Sequence, residues 1–206
     1  VTARSHEGAA PQDDDPIPPR DELGLLPPIR PGAPGYDRDR SPYAARLADV
    51  VRRFGGTSDR RMILRGLLRF RAGLRDVGIS NGFQWLDGSF FEDVEATGGR
   101  SPNDIDVVTF GDLGDEALQQ SRYAESPELF DHIAAKLNFG VDNYFVELGA
   151  PLAREEVRTI GYWYSMWAHR GEDQRWKGFV EVDLGEDGDA DALVLLDALD
   201  APGGAP

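Results

Sequence analysis

A mixed α/β domain, with a small central sheet flanked by helices, is the fold class this sequence predicts. Helix-periodic segments alternate with short β-branched or aromatic runs along the chain. The 206 residues suffice for one domain with a sizeable core, and 40% hydrophobic content with ten Phe and four Trp supports packing. No internal repeat is visible.

Residues 1–40 hold most of the prolines, in PQDDDPIPPR and LPPIRPGAPG, and show no period. They read as a disordered or extended arm. Leu25 and Leu26, followed by Pro27-Pro28-Ile29, offer the alternative of a strap docked on the domain. The domain itself is expected over residues 41–200, with a short flexible tail over 201–206.

Ser41-Pro42 predicts a helix start, with Ser as N-cap and Pro in the first turn. Leu47, Val50, Val51 and Phe54 follow at helical spacing, and Gly55-Gly56 stops them. Thr57 or Ser58 caps a second helix reaching about Val77, with Ile63, Leu64, Leu67, Leu68, Phe70 and Leu74 as its apolar side. Arg61, Arg65 and Arg69 make a basic stripe on it, either a solvated face or a grip on phosphate or an acidic partner.

Phe83–Leu86 reads as a strand, and Gly88-Ser89 as a turn into a short helix. Glu92 to Pro102 reads as a polar loop, and Asp104 to Phe110 as a second strand. Asp115 to Asn138 is helical with a break near Ser126-Pro127. VDNYFVEL, from Val141 to Leu148, is the next strand, and Gly149-Ala150-Pro151 punctuates. A helix of heavy aromatic load runs from Leu152 to about Arg170. Phe179–Leu184 is a strand, and Asp191–Leu199 a last helix.

Net charge is −15, which argues against general nucleic-acid binding. The charge is uneven: eight arginines lie from Arg52 to Arg75, and eight acids with no base follow Lys177. The absence of cysteine excludes disulfides, thiolate zinc sites and a cysteine nucleophile. No apolar run approaches a membrane span and no signal-like segment opens the sequence, so a soluble, cytoplasmic protein without a membrane partner is expected.

The chemical signal lies in FQWLDGSFFEDVEATGGRSPNDIDVVTF, residues 83–110. Side chains alternate faces along a strand, so Asp104 and Asp106 point the same way. Two carboxylates on one face repel unless a cation sits between them. Small residues at a turn let a phosphate approach backbone amides. Mg²⁺ favours a few carboxylates plus phosphate oxygens. Together these features describe a site for nucleotide phosphates.

In this order, Gly88-Ser89 followed by Asp104-Ile105-Asp106 resembles the signature of the polymerase-β-type nucleotidyltransferase superfamily. LDGSF and PNDIDVV, from Leu86 to Phe90 and Pro102 to Val108, are similar more narrowly to its small bacterial members. The resemblance spans most of residues 41–198. It implies a nucleotidyltransferase-like fold and transfer of an NMP from an NTP to an acceptor hydroxyl, with release of pyrophosphate. Gly88 and Ser89 would hold the triphosphate. Asp104 and Asp106 would bind one or two Mg²⁺ (or Mn²⁺) ions. The third carboxylate of the family is Asp142 or Glu147; five residues apart, they face opposite sides of their strand, and Asp142 is preferred. Fourteen residues separate Ser89 from Asp104, more than in compact members.

Arg175 and Lys177, near the final strand, either meet the triphosphate or are ordinary surface charge. The aromatic helix is read as core rather than as a base-stacking surface. His6, His132 and His169 are too scattered for a metal site. Asp187, Asp189 and Asp191 imitate the start of an EF-hand loop, but Ala192 and Ala198 break the pattern. The acceptor, whether protein, RNA or small molecule, is not readable. Small proteins of this kind, by resemblance, serve in toxin–antitoxin or phage-defence systems. The alternative function is therefore a catalytically inactive nucleotidyltransferase fold that binds a regulatory protein partner.

Overall fold

The computed structural model describes residues 15–149, 153–185 and 187–201. The expected arm over 1–14, His6, Ala150-Pro151, the helix start at Leu152 and the tail over 202–206 lie outside the described residues. In chain order the elements are β1 (Tyr43–Ala44), α1 (Leu47–Phe54), α2 (Ser58–Asp76), β2 (Gly82–Asp87), a 3-10 turn (Ser89–Phe91), α3 (Val94–Gly98), β3 (Ile105–Gly111), α4 (Glu116–Glu125), α5 (Pro127–Phe130), α6 (His132–Phe139), β4 (Val141–Glu147), α7 (Arg154–Trp167), β5 (Val180–Asp183) and α8 (Asp187–Asp200). The fold is thus the expected mixed α/β class, a small sheet with helices against it.

The five-stranded sheet has the order β1-β5-β2-β3-β4. β2 runs antiparallel to β3 and β5, while the β3–β4 and β1–β5 pairs are parallel. Alternation sorts the side chains onto two covered faces. Leu86, Ile105, Val107, Val141, Val180 and Val182 face α1, α2 and α8 in the main core. Trp85, Val108, Phe110 and Val146 face the other way, with Tyr144, Trp163 and Trp167. Trp163, Tyr164 and Trp167 of α7 pack here, with Tyr144 and Trp163 4.5 Å apart between ring centroids, while Tyr162 stays exposed.

α2 is the longest helix and the spine of the main core. Thr57 caps it by accepting from the Arg60 amide. Gly66 lets it approach α6, since a Cβ there would stand 1.8 Å from the Phe139 carbonyl oxygen. Arg71 is 1% exposed and donates to Asp189 (2.8 Å), Gln84 (2.7 Å) and the Asp183 carbonyl (2.6 Å). Gln84 in turn donates to Thr109 at 2.9 Å. This buried network ties α2, the sheet and α8 together, with every polar group answered by a partner. Asp189, which imitates a calcium loop in sequence, is here the carboxylate partner of Arg71 and Arg75. Arg61 and Arg65 of the basic stripe pair with Asp200 at the end of α8, and Arg69 donates to the Asn138 carbonyl.

Three expectations are corrected. Glu92 to Pro102 is not all loop: it holds the short helix α3, which Asp93 caps by accepting from the Ala96 amide. Ser41-Pro42 does not start a helix. Ser41 accepts from the Phe179 amide at 2.8 Å, Tyr43 and Ala44 pair with β5, and α1 begins only at Leu47. Strand pairing at the sheet edge outcompetes the local capping signal. The arm, from residue 15 onward, is a strap rather than a tail. Ile17, Leu25 and Leu26 are at most 2% exposed. Leu26 accepts from the Gly178 amide (2.7 Å), Gly24 accepts from the Asp93 amide (2.8 Å), and Tyr43 donates to the Pro27 carbonyl (2.7 Å). Each buried aliphatic side chain contributes about 1.5–3 kcal/mol, enough to offset ordering a Pro-rich segment already low in entropy.

Candidate metal and nucleotide site

Asp106 lies in the middle of three strands. It is the register partner of Asp87 on β2 and of Asp142 on β4. All three side chains therefore share the face covered by α7. Asp104 precedes β3 by one residue and shares the parity of Asp106. Carboxylate oxygens of Asp104, Asp106 and Asp142 lie within 4.8 Å of one another. Glu147 is not in this group. It sits on the opposite face, at the far end of β4, and accepts from the Leu113 amide at 3.0 Å.

The turn after β2 closes the site on its other side. Gly88 has φ of 91°, and a Cβ there would meet Oδ2 of Asp106 at 2.6 Å. Only glycine accommodates both the backbone and the neighbour. Ser89 opens the 3-10 turn, which Phe90 and Phe91 anchor in the core. Phe91 packs edge-on against Phe54 at 4.7 Å. Arg60, 3% exposed, locks the turn from below. It donates to the Phe90 and Glu92 carbonyls and pairs with Glu95 at 2.6 Å. The LDGSF stretch is thus a rigid ledge beside the aspartates.

Two lysines answer this charge. Lys177 is 3% exposed and stands between Asp87 (2.9 Å) and Glu92 (3.1 Å). Lys136, in the last turn of α6, pairs with Oδ2 of Asp104 and, at 3.2 Å, with Oδ2 of Asp142. Arg175 is half-exposed and pairs with Asp173 at 2.8 Å in the turn before β5; it makes no contact with the aspartates among the described residues. Of the two bases considered for a triphosphate, Lys177 is built into the floor of the site and Arg175 is surface charge.

Burial, with Asp104 and Asp142 adding like charge, pushes Asp106 up to about 6. Burial also pushes Asp87 up to about 7, opposed by Lys177 and reinforced by Asp106. Burial pulls Lys177 down, but Asp87 and Glu92 outweigh it and hold the ammonium charged. Burial, then the charges of Asp142 and Asp106, raise the phenol of Tyr144, two residues along β4 from Asp142.

The donor set suits a hard divalent cation: three carboxylates, no sulfur or imidazole. One oxygen points to the same conclusion. Oδ1 of Asp142 is buried and has no hydrogen-bond partner among the described residues. Sequence reasoning missed Asp87, Lys136, Glu92 and Arg60. Asp87 was legible as the residue before Gly88, at a strand end; the other three act through long-range contacts that no local pattern announces.

No curated protein and no solved structure matches this chain. One family profile does, over residues 18–183, a span that takes in the strap from Pro18, the ledge and every acid and base of the site. With well over half of its length matched, the chain belongs to the family of unknown function DUF6932.

Proposed function

We propose that this protein is a metal-dependent nucleotidyltransferase of the polymerase-β type, moving an NMP from an NTP to an acceptor hydroxyl. The observation that carries this reading is the convergence of Asp104, Asp106 and Asp142 beside the Gly88-Ser89 ledge. Asp104, Asp106 and Asp142 would hold Mg²⁺ or Mn²⁺. Such an ion neutralises phosphate charge and lowers the pKa of an attacking hydroxyl.

The chain's own groups divide the remaining work. Gly88, without a Cβ, leaves room for a phosphate against backbone at the head of the turn. Asp142 would either complete the metal set or take the proton from the acceptor hydroxyl. The acceptor oxygen then bonds to the α-phosphorus, the bond to the β-phosphate oxygen breaks, and pyrophosphate leaves. Lys177 holds Asp87 and Glu92 in place beneath the site and so fixes the β2 end and the ledge together.

A second reading, a fold that binds a partner without catalysis, draws on one observation. Lys136 already pairs with two of the three acids. A toxin–antitoxin or phage-defence setting fits either reading. The test is transfer of label from α-³²P NTPs with Mg²⁺ to cell extract separated into RNA, protein and small molecules. Label in one fraction, lost in the Asp104→Ala, Asp106→Ala double variant, supports the enzyme and names the acceptor class. No label with folded protein favours the partner-binding reading.

A further inference from the structure

Two of the three aspartates, Asp104 and Asp142, already hold a cation, and it belongs to the chain. The ammonium of Lys136 contacts Oδ2 of Asp104 and lies 3.2 Å from Oδ2 of Asp142. The lysine side chain is 47% exposed, against 15% and 19% for its two partners. The ammonium therefore closes the site from the solvent side, over acids that sit deeper. The tether is short. Lys136 is in the last turn of α6, and the left-handed Gly140 carries the chain straight into β4, which bears Asp142. Helix α6 is fixed independently: Asp131 caps it through the Ala134 amide, and Ala135 is fully buried. The lysine side chain can thus swing into water with no movement of backbone.

We propose that Lys136 is a tethered counter-ion that occupies the metal site while it is empty and must yield Asp104 and Asp142 to an incoming divalent cation. The proposal rests on the nucleotidyltransferase reading only in taking the three aspartates as metal ligands. Lys136 reaches only Asp104 and Asp142, and Lys177 is taken up by Asp87 and Glu92, so the three carboxylates are undercompensated; Oδ1 of Asp142 has no hydrogen-bond partner among the described residues. A divalent ion is the better match for that charge.

The exchange is energetically reasonable. A half-exposed lysine–carboxylate pair contributes little net stability. A lysine resident for about nine-tenths of the time would weaken apparent metal affinity about tenfold. The device keeps the acids compatible with folding before metal arrives and sets a threshold concentration for loading.

The test is calorimetric titration of Mn²⁺ into the full chain and into Lys136→Gln and Asp142→Asn, with melting temperatures taken with and without Mn²⁺. The proposal expects Lys136→Gln to bind Mn²⁺ about tenfold tighter than the unmodified protein. It also expects Lys136→Gln to melt lower without metal and to match the unmodified protein once saturated. Unchanged or weaker Mn²⁺ affinity in Lys136→Gln, with affinity lost in Asp142→Asn, overturns the lysine proposal and leaves the metal site standing. No Mn²⁺ binding by the unmodified protein or by Lys136→Gln overturns the proposal together with the metal reading.

Discussion

A Cβ on Gly88 would stand 2.6 Å from Oδ2 of Asp106. The ledge and the acids are therefore packed as one unit, and a change in one displaces the other. Gly88→Ala adds a side chain at φ 91° against that carboxylate. It should cost about 1–3 kcal/mol in denaturant unfolding and weaken Mn²⁺ binding, because Asp106 must move. Equal stability and affinity in the variant would show that the contact is unimportant.

Protonation of Asp106 gives a pH signature. Its folded value, about 6, lies above the ordinary value of 3.8. As pH rises, the unfolded chain gives up this proton first, so the contribution of Asp106 to stability falls between about pH 4 and 6 and stays low above. Asp106→Asn should be more stable than the unmodified protein at pH 8 by about 1–3 kcal/mol, with the difference vanishing near pH 4. Metal binding runs the other way. It requires the carboxylate, so Mn²⁺ affinity should climb from pH 5 to 7 and then level. Urea melts and titrations at several pH values check both.

Asp142 and Glu147 make opposite predictions. Asp142→Asn removes a converging carboxylate and should abolish measurable Mn²⁺ binding. Glu147→Gln should leave binding unchanged and cost only about 0.5–1.5 kcal/mol, through its contact with the Leu113 amide. Reversal of this order would move the third acid to the other face.

Lys177→Met leaves Asp87 and Glu92 without their shared cation in a buried setting. A loss of about 3–5 kcal/mol at pH 8 is expected, shrinking as pH falls and Asp87 protonates. Arg175→Ala, at a half-exposed pair, should leave melting temperature and nucleotide binding as they are. Unfolding monitored by circular dichroism separates the two.

Local signals made part of this legible in sequence. The Gly55 stop of α1, the Thr57 cap of α2 and the apolar spacing of α2 are interactions within a few residues, and they define those two helices in the structure. Strand parity placed Asp104 with Asp106 and separated Asp142 from Glu147, since it depends only on counting. What was hidden is long-range. β1 is two residues long and exists because Tyr43 and Ala44 pair with Val180 and Glu181, which lie beyond any window. Arg60 and Arg71 look like the rest of a basic helix, yet they are buried because carbonyls and carboxylates from distant segments meet them. Ile17 carries too little local signal to reveal that a Pro-rich arm is a strap. Lys136 and Lys177 reach the acids only once α6 and β5 are in place.

The central claim is that the three aspartates bind a metal–nucleotide complex. Calorimetric titration of non-hydrolysable NTP analogues, with and without Mg²⁺, into the unmodified protein and Asp104→Asn tests it most directly. The account predicts binding of at least one analogue that depends on Mg²⁺ and is lost in Asp104→Asn at unchanged fold. Binding that survives in Asp104→Asn, or none for any of the four bases, would contradict it.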